Sequence, residues 1–255
     1  MERRRNGDPI ANPGMTRLAR DRDTHLTREE IAAEALRCFD ESAVAPSIRQ
    51  LASVLRVTPS AIYHHFPSRA AIIQAAVDLV WQEAGARFLE LVPDPLTADP
   101  IEVLVAGGVA TREVFGTHYQ VAPFIAATTQ ASGPLTAVLA LMATIFERMG
   151  LDRDEAASSF HTYASYTLGA VLFAATRRIT NEQLAREGAA AIPVERYRED
   201  RSRRADGQRD AGATGTVLVQ ALDEMVDLSV VDPDRDGKLF AEGLRRLIKT
   251  VSATN

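Results

Sequence analysis

The sequence predicts an all-α protein, an N-terminal three-helix helix-turn-helix domain followed by a larger helical domain. Three observations predict it. Apolar residues recur at helical spacing along most of the chain, four helix starts carry capping residues, and no Asn-Gly or Asp-Gly pair stands between two alternating apolar runs.

Taken in order, residues 1–24 combine several arginines with Gly7, Pro9, Pro13 and Gly14 and have no apolar period, so they read as a flexible basic arm in which Met1 and Met15 are both candidate starts. Thr27 with Glu30 forms a capping box, and Ile31, Ala35 and Phe39 then share a face, which sets a helix over 28–41. A second box, Ser47 with Gln50, opens a short helix whose inward set is Ile48, Leu51, Ala52 and Leu55. After a break at Arg56 and Val57, Thr58 caps a third helix with Pro59 in its first position, where a missing N–H costs nothing. That helix ends near Phe66. Pro67 and Ser68 then interrupt the chain and cap a long helix carrying Ile72, Ile73, Ala76, Leu79, Val80 and Phe88. Further helices are expected at 101–115, 119–131, 134–149, 153–178, 214–229 and 236–251. A stretch at about 181–213, dense in both charge signs and dotted with glycine, reads as a long mobile loop. The domains expected are therefore 1–24 (arm), 25–75 (helix-turn-helix) and 76–255 (helical domain).

Composition bounds the function. With 46% hydrophobic and 25% charged residues among 255, the chain has a globular make-up. It contains no run of the roughly 18 apolar residues that a membrane span requires, and its basic start leads into no apolar run. A cytoplasmic protein without membrane contact is expected. The single cysteine, Cys38, falls on an apolar helical pattern and reads as a small buried hydrophobe. A net charge of −5 argues against coating nucleic acid by bulk charge, but distribution matters more. Between Ser42 and Val77 there is no Asp or Glu, while Arg49, Arg56, Arg69, His64 and His65 are all present, so this stretch can face phosphate without self-repulsion.

Two short helices joined by a tight turn, with a third before them, fit the helix-turn-helix, whose second helix enters the major groove. The exposed face of that helix should carry Thr58, Pro59, Ser60, Ala61, Tyr63 and His64, with Val57, Ile62 and Phe66 turned inward. Small residues at its start allow close approach to the bases. Thr58 and Ser60 offer hydroxyls to phosphates or base edges, Ala61 can meet a thymine methyl, and Tyr63 and His64 can reach backbone or base. Arg69, at the start of the next helix, is placed to meet phosphate beside the amides freed there, and Ser47 and Arg49 do the same from the first helix of the pair.

The wording of the motif, Ser47-Ile-Arg-Gln-Leu-Ala52 followed by Val57-Thr-Pro-Ser-Ala-Ile-Tyr-His-His-Phe-Pro-Ser-Arg69, closely resembles the signature of the TetR (tetracycline repressor) family over about residues 27–80. Two positions depart from it. Arg56 stands where the family usually has glycine in the turn, a position that needs positive φ, so arginine there costs about 1 kcal/mol unless a phosphate contact offsets it. Arg69 replaces the usual lysine, keeping the charge but changing its geometry.

The resemblance implies a ligand-responsive homodimeric transcriptional regulator, most family members being repressors, that reads a palindromic operator in double-stranded DNA and leaves it when a small-molecule effector binds in the helical domain. It also implies a dimer surface built by two C-terminal helices. The candidate stripes are Ala157, Phe160, Ala164, Leu168, Val171, Leu172 and Ala175 on one helix, and Leu239, Phe240, Leu244, Leu247 and Ile248 on the other; the lesser alternative is that both stripes are intrachain core. Candidates to line the effector site are Trp81, Phe88, Phe115, His118, Phe124, Gln130, Met142, Phe146, His161 and Tyr166, mostly apolar with a few polar anchors.

Rival functions find less in the sequence. There is no Gly-rich phosphate loop, zinc-type His/Cys spacing, HExxH or nucleophile elbow, so no catalytic residue, metal site or cofactor is expected. The alternative is a helical partner-binding or scaffold protein that keeps the helix-turn-helix without reading an operator, a reading that Arg56 alone favours.

Overall fold

A computed structural model describes residues 26–42, 45–127, 133–188 and 233–252. The described residues form eight α-helices and no strand: α1 (Arg28–Ser42), α2 (Ile48–Leu55), α3 (Pro59–His65), α4 (Arg69–Leu91), α5 (Pro100–Thr117), α6 (Gly133–Arg148), α7 (Arg153–Arg186) and α8 (Pro233–Ser252). A 3₁₀ turn, Ala122–Ala127, lies between α5 and α6. The arm at 1–24, the helix expected at 214–229, the loop beyond residue 188 and Gln130 lie outside the described residues.

The starts of the helices are set by the side chains that the sequence supplies. Thr27 Oγ1 accepts from the Glu30 amide at 3.1 Å while Glu30 accepts from the Thr27 amide at 3.0 Å. Ser47 and Gln50 form the same reciprocal box at the start of α2. Asp99 accepts from the amides of Ile101 and Glu102, with Pro100 in the first turn of α5, and Asp152 and Glu155 box the start of α7. Each such cap is worth about 1 kcal/mol.

Packing then joins the head to the body. Ile31, Phe39, Leu51, Ile62, Phe66 and Ile72 are fully or almost fully buried together, the small core of α1–α4. Burying each of these large side chains stabilises by about 1.5–3 kcal/mol. The same core continues without a break along α4 through Val77 and Val80 to Phe115 and Val121 beyond α5, and to Val171 and Ala175 of α7. A second core gathers Phe88, Leu104, Ile145, Tyr163, Phe240 and Leu244, from α4 through α8. α5 and α8 cross closely at Gly108, where a Cβ would run into Leu244 Cδ2, so glycine there is a packing requirement. Cys38 is partly buried, and burial followed by the nearby Glu34 carboxylate pushes its thiol pKa up.

Three expectations change. Of the segment expected as a helix over 119–131, the described part up to residue 127 instead turns at 118–121 and then runs as 3₁₀, because Pro123 lacks the N–H that an α-helix needs and disfavours helical backbone at Ala122. α7 runs on to Arg186, so residues 181–186 are helical and not loop. Its extra turns have little apolar period to reveal them. They are held by the i,i+4 ion pairs Arg178–Glu182 and Glu182–Arg186 and by Tyr119, whose hydroxyl donates to Glu182 while the Arg178 guanidinium stacks 3.9 Å above its ring. Finally, the stripes expected to form a dimer seam face largely inward. Val171, Ala175, Phe240, Leu244 and Ile248 are buried within the chain, and Phe160, Ala164 and Leu168 line an internal cavity.

Candidate functional site

The turn between α2 and α3 carries the helix-turn-helix geometry. Arg56 has φ 57° and ψ 42°, the one positive-φ residue other than glycine among the described residues. Around it the Val57 amide donates to the Ala52 carbonyl at 3.0 Å and the Arg56 amide to that of Ser53 at 3.3 Å. This pair of bonds is a Schellman closure, normally completed by glycine, and Val57 packs inward behind it. The left-handed conformation expected at Arg56 is therefore present, and the side chain stands exposed.

α3 begins at Pro59 under the Thr58 cap, whose Oγ1 accepts from the Ala61 amide at 3.2 Å. Ile62 is fully buried and Phe66 nearly so, which fixes the roll of the helix and turns Pro59, Ser60, Tyr63 and His64 outward, Tyr63 being 54% exposed. Ala61 is half-buried. Arg28 secures the far end of α3 by donating to the His65 carbonyl and lying 4.1 Å over the Phe66 ring.

The sequence-predicted contacts divide. Pro59, Ser60, Tyr63 and His64 of α3 and Arg49 of α2 are all exposed. Ser47 and Thr58 are exposed or half-buried, but their oxygens are also engaged as helix caps. Arg69 also has a partner within the chain. Its Nε donates to the Pro46 carbonyl at 2.9 Å and its Nη2 to that of Ala45, so the guanidinium ties the start of α4 to the segment entering α2. A planar fork suits two neighbouring carbonyls as well as it suits a phosphate, and sequence alone does not tell these uses apart.

The second feature is a cavity of about 330 Å³ in the helical body. Trp81, Ala84, Gly85 and Phe88 of α4 line one side and Gly107 and Thr111 of α5 another, with Met142 among the α6 residues, Phe160, Tyr163 and Thr167 among those of α7, and Ile125 of the 3₁₀ turn also on the wall. No charged side chain is among the described residues that line it. The polar side-chain groups are the Trp81 indole N–H and the hydroxyls of Thr111, Tyr163 and Thr167. Thr111 donates to the Gly107 carbonyl at 2.8 Å and Tyr163 to that of Leu104 at 3.0 Å. Burial raises the Tyr163 pKa, which the neighbouring Thr167 hydroxyl opposes only in part, so the phenol stays neutral. Thr167 is 3% exposed, and its Oγ1 has no partner in hydrogen-bonding geometry among the described residues.

Of the residues expected to line an effector site, Trp81, Phe88 and Met142 do so. Phe115 is fully buried against Trp81, Phe124 packs on Phe39, and Phe146 belongs to the second core. His161 is exposed, and Tyr166 stacks on Phe240 in a separate surface hollow. His118 is structural, since its Nδ1 lies 2.9 Å from Asp40 of α1 and its Nε2 3.0 Å from Glu83 of α4. Sequence reasoning missed Gly85, Gly107 and Thr167. Residues that line by being small carry no local signal, although Tyr163 and Thr167 recur at i,i+4 on the inward stripe of α7.

Residues 31–76 match the family model for bacterial regulatory proteins of the tetR family. No curated protein matches the sequence. Among solved structures, the fold is similar to that of the Streptomyces coelicolor TetR family protein ActR in complex with (S)-DNPA, at TM-score 0.65 and 19% identity over 90% of this chain and 98% of that one. ActR in complex with actinorhodin gives TM-score 0.63 and 22% identity, covering 90% and 96%. Mycobacterium smegmatis BioQ gives 0.61 and 18%, covering 90% and 99%.

Proposed function

From the premise of a TetR-family DNA-binding domain at the N-terminus of a TetR-like all-helical fold, we propose that the chain is a homodimeric repressor that reads a palindromic operator and leaves it when a small molecule fills the cavity beneath α4. The observation that carries the proposal is the outward face of α3. Ser60, Tyr63 and His64 project from a short helix fixed by Ile62 and Phe66, in a stretch of sequence free of acidic residues and flanked by the exposed Arg49 and Arg56. Uncharged and aromatic donors on the helix face read base edges, while cations at its margins meet phosphate.

Two further features support the rest of the reading. α4 spans 23 residues from the DNA-reading head to the cavity, so a ligand pressing on Gly85 acts on the same rigid element that Arg69 anchors about 24 Å away. Phe173 is 70% exposed on the outer face of α7, where it and Leu239 of α8 line a hollow that also holds Arg112, Arg177 and Asp236, apolar surface with a charged rim that a second copy would cover. No helix among the described residues is long and apolar enough to cross a membrane, in keeping with a regulator that meets DNA in the cytoplasm.

Selection of the full chain's ligands from a pool of random duplexes, followed by sequencing, tests the proposal. Enrichment of a palindrome supports it. No enrichment at low and moderate salt defeats it in favour of a partner-binding protein.

A further inference from the structure

We propose that the cavity takes an uncharged, compact, largely aromatic molecule. The inference rests on the regulator reading only in taking this cavity as the effector site.

Size comes first. About 330 Å³ lies at the small end of the ~300–1,000 Å³ spanned by small-molecule pockets, so a compact fused-ring ligand fits and an extended one does not. Shape and surface follow from the walls, where Trp81, Phe88, Met142, Phe160 and Tyr163 present rings and a thioether. Charge is decided by what is missing from those walls. With no cation or anion among the described lining residues, a carboxylate or ammonium would lose its hydration and gain no partner.

The hydroxyls beside the cavity offer a ligand little. Thr111 already donates to the Gly107 carbonyl and Tyr163 to the Leu104 carbonyl, and the Thr167 oxygen is buried toward Gly108, at the crossing of α5 and α8. Binding therefore rests on burial of apolar surface against the rings.

The test uses the full chain and a matched series: 9-fluorenone, a neutral ketone; fluorene, the same ring system without the oxygen; and 9-fluorenone-4-carboxylate. Trp81 is the only tryptophan in the sequence and lines the cavity, so its emission reports occupancy. Equilibrium dialysis supplies the affinities. We expect one ketone bound per chain with saturable quenching of Trp81, and the carboxylate weaker by on the order of a hundredfold. Gly85→Leu, which places a side chain where a Cβ meets nothing within 4 Å, should abolish binding of all three without loss of helicity.

Binding of the carboxylate as tightly as the ketone, undiminished binding in Gly85→Leu, or no binding of any of the three each overturns the inference. Failure of the regulator reading looks different. A chain that binds the ketone but enriches no duplex keeps this inference and loses that reading, whereas a chain that selects a palindrome yet takes the carboxylate equally loses only this one.

Discussion

Tyr63, Arg69 and Arg56 are three residues of the head that act in three different ways. Tyr63 is exposed on α3 and its ring contributes nothing to the head's core, so Tyr63→Phe should leave stability unchanged and weaken operator binding about fivefold, the loss of one hydrogen bond. Arg69 holds the carbonyls of Ala45 and Pro46. Arg69→Ala is therefore expected to lower unfolding stability by about 1–2 kcal/mol and to weaken DNA binding through the displaced start of α2. Parallel thermal melts and anisotropy titrations separate the two variants, and an Arg69→Ala melt like that of the parent would contradict the clamp. Arg56 sits in left-handed backbone at the Schellman turn. Arg56→Gly should raise stability by about 0.5 kcal/mol, relief of strain outweighing the flexibility gained by the unfolded chain. It should also lower the salt slope of DNA binding by about one, the phosphate contact that it removes.

Among the elements, the helices that begin with a side-chain cap and carry one apolar stripe were legible in the sequence. α1 to α5 start where Thr27, Ser47, Thr58, Ser68 and Asp99-Pro100 place them. The segment after α5 was not, because apolar Val121, Ala122, Phe124 and Ile125 keep a helix-like rhythm that Pro123 prevents from forming an α-helix. The polar end of α7 was missed for the opposite reason, since ion pairs and Tyr119 hold it in place of an apolar stripe. That post-α5 segment matters because it grips the head. His118 bridges Asp40 of α1 and Glu83 of α4, and the Gln120 amide donates to the Asp40 carbonyl at 3.0 Å. His118→Ala leaves two carboxylates facing each other with no donor between them. It should destabilise the protein by about 1–2 kcal/mol and speed hydrogen exchange at the end of α1 while α6 stays protected. Equal acceleration in both helices would show a loss of global stability and not a local latch.

At the scale of the molecule, the reading face was more legible than the cavity. A helix-turn-helix is local in sequence, so the residues that expose it and the residues that bury its back lie within about one motif. The cavity draws on α4, α5, α6 and α7 together, and only packing decides which aromatics line it: Trp81 and Phe88 do, while Phe115, Phe124 and Phe146 fill core. The same ambiguity applied to the stripes on α7 and α8, which turned inward and left Phe173 as the large apolar side chain most exposed among the described residues. If a second copy covers that patch, Phe173→Glu should convert a dimer to a monomer by light scattering and reduce operator affinity on the order of a hundredfold, since one head alone reads half a site. A dimer that survives the substitution would move the interface elsewhere.

The central claim is that the outward face of α3 reads DNA in a sequence-dependent way. Its most direct test is the affinity of the full chain for the selected palindrome and for a scrambled duplex of the same composition, measured from low to physiological salt. A linear fall of log affinity with log salt is expected for both duplexes, with the palindrome still bound when the scrambled duplex has been released. Equal affinities at every salt concentration, or no binding at all, would contradict it.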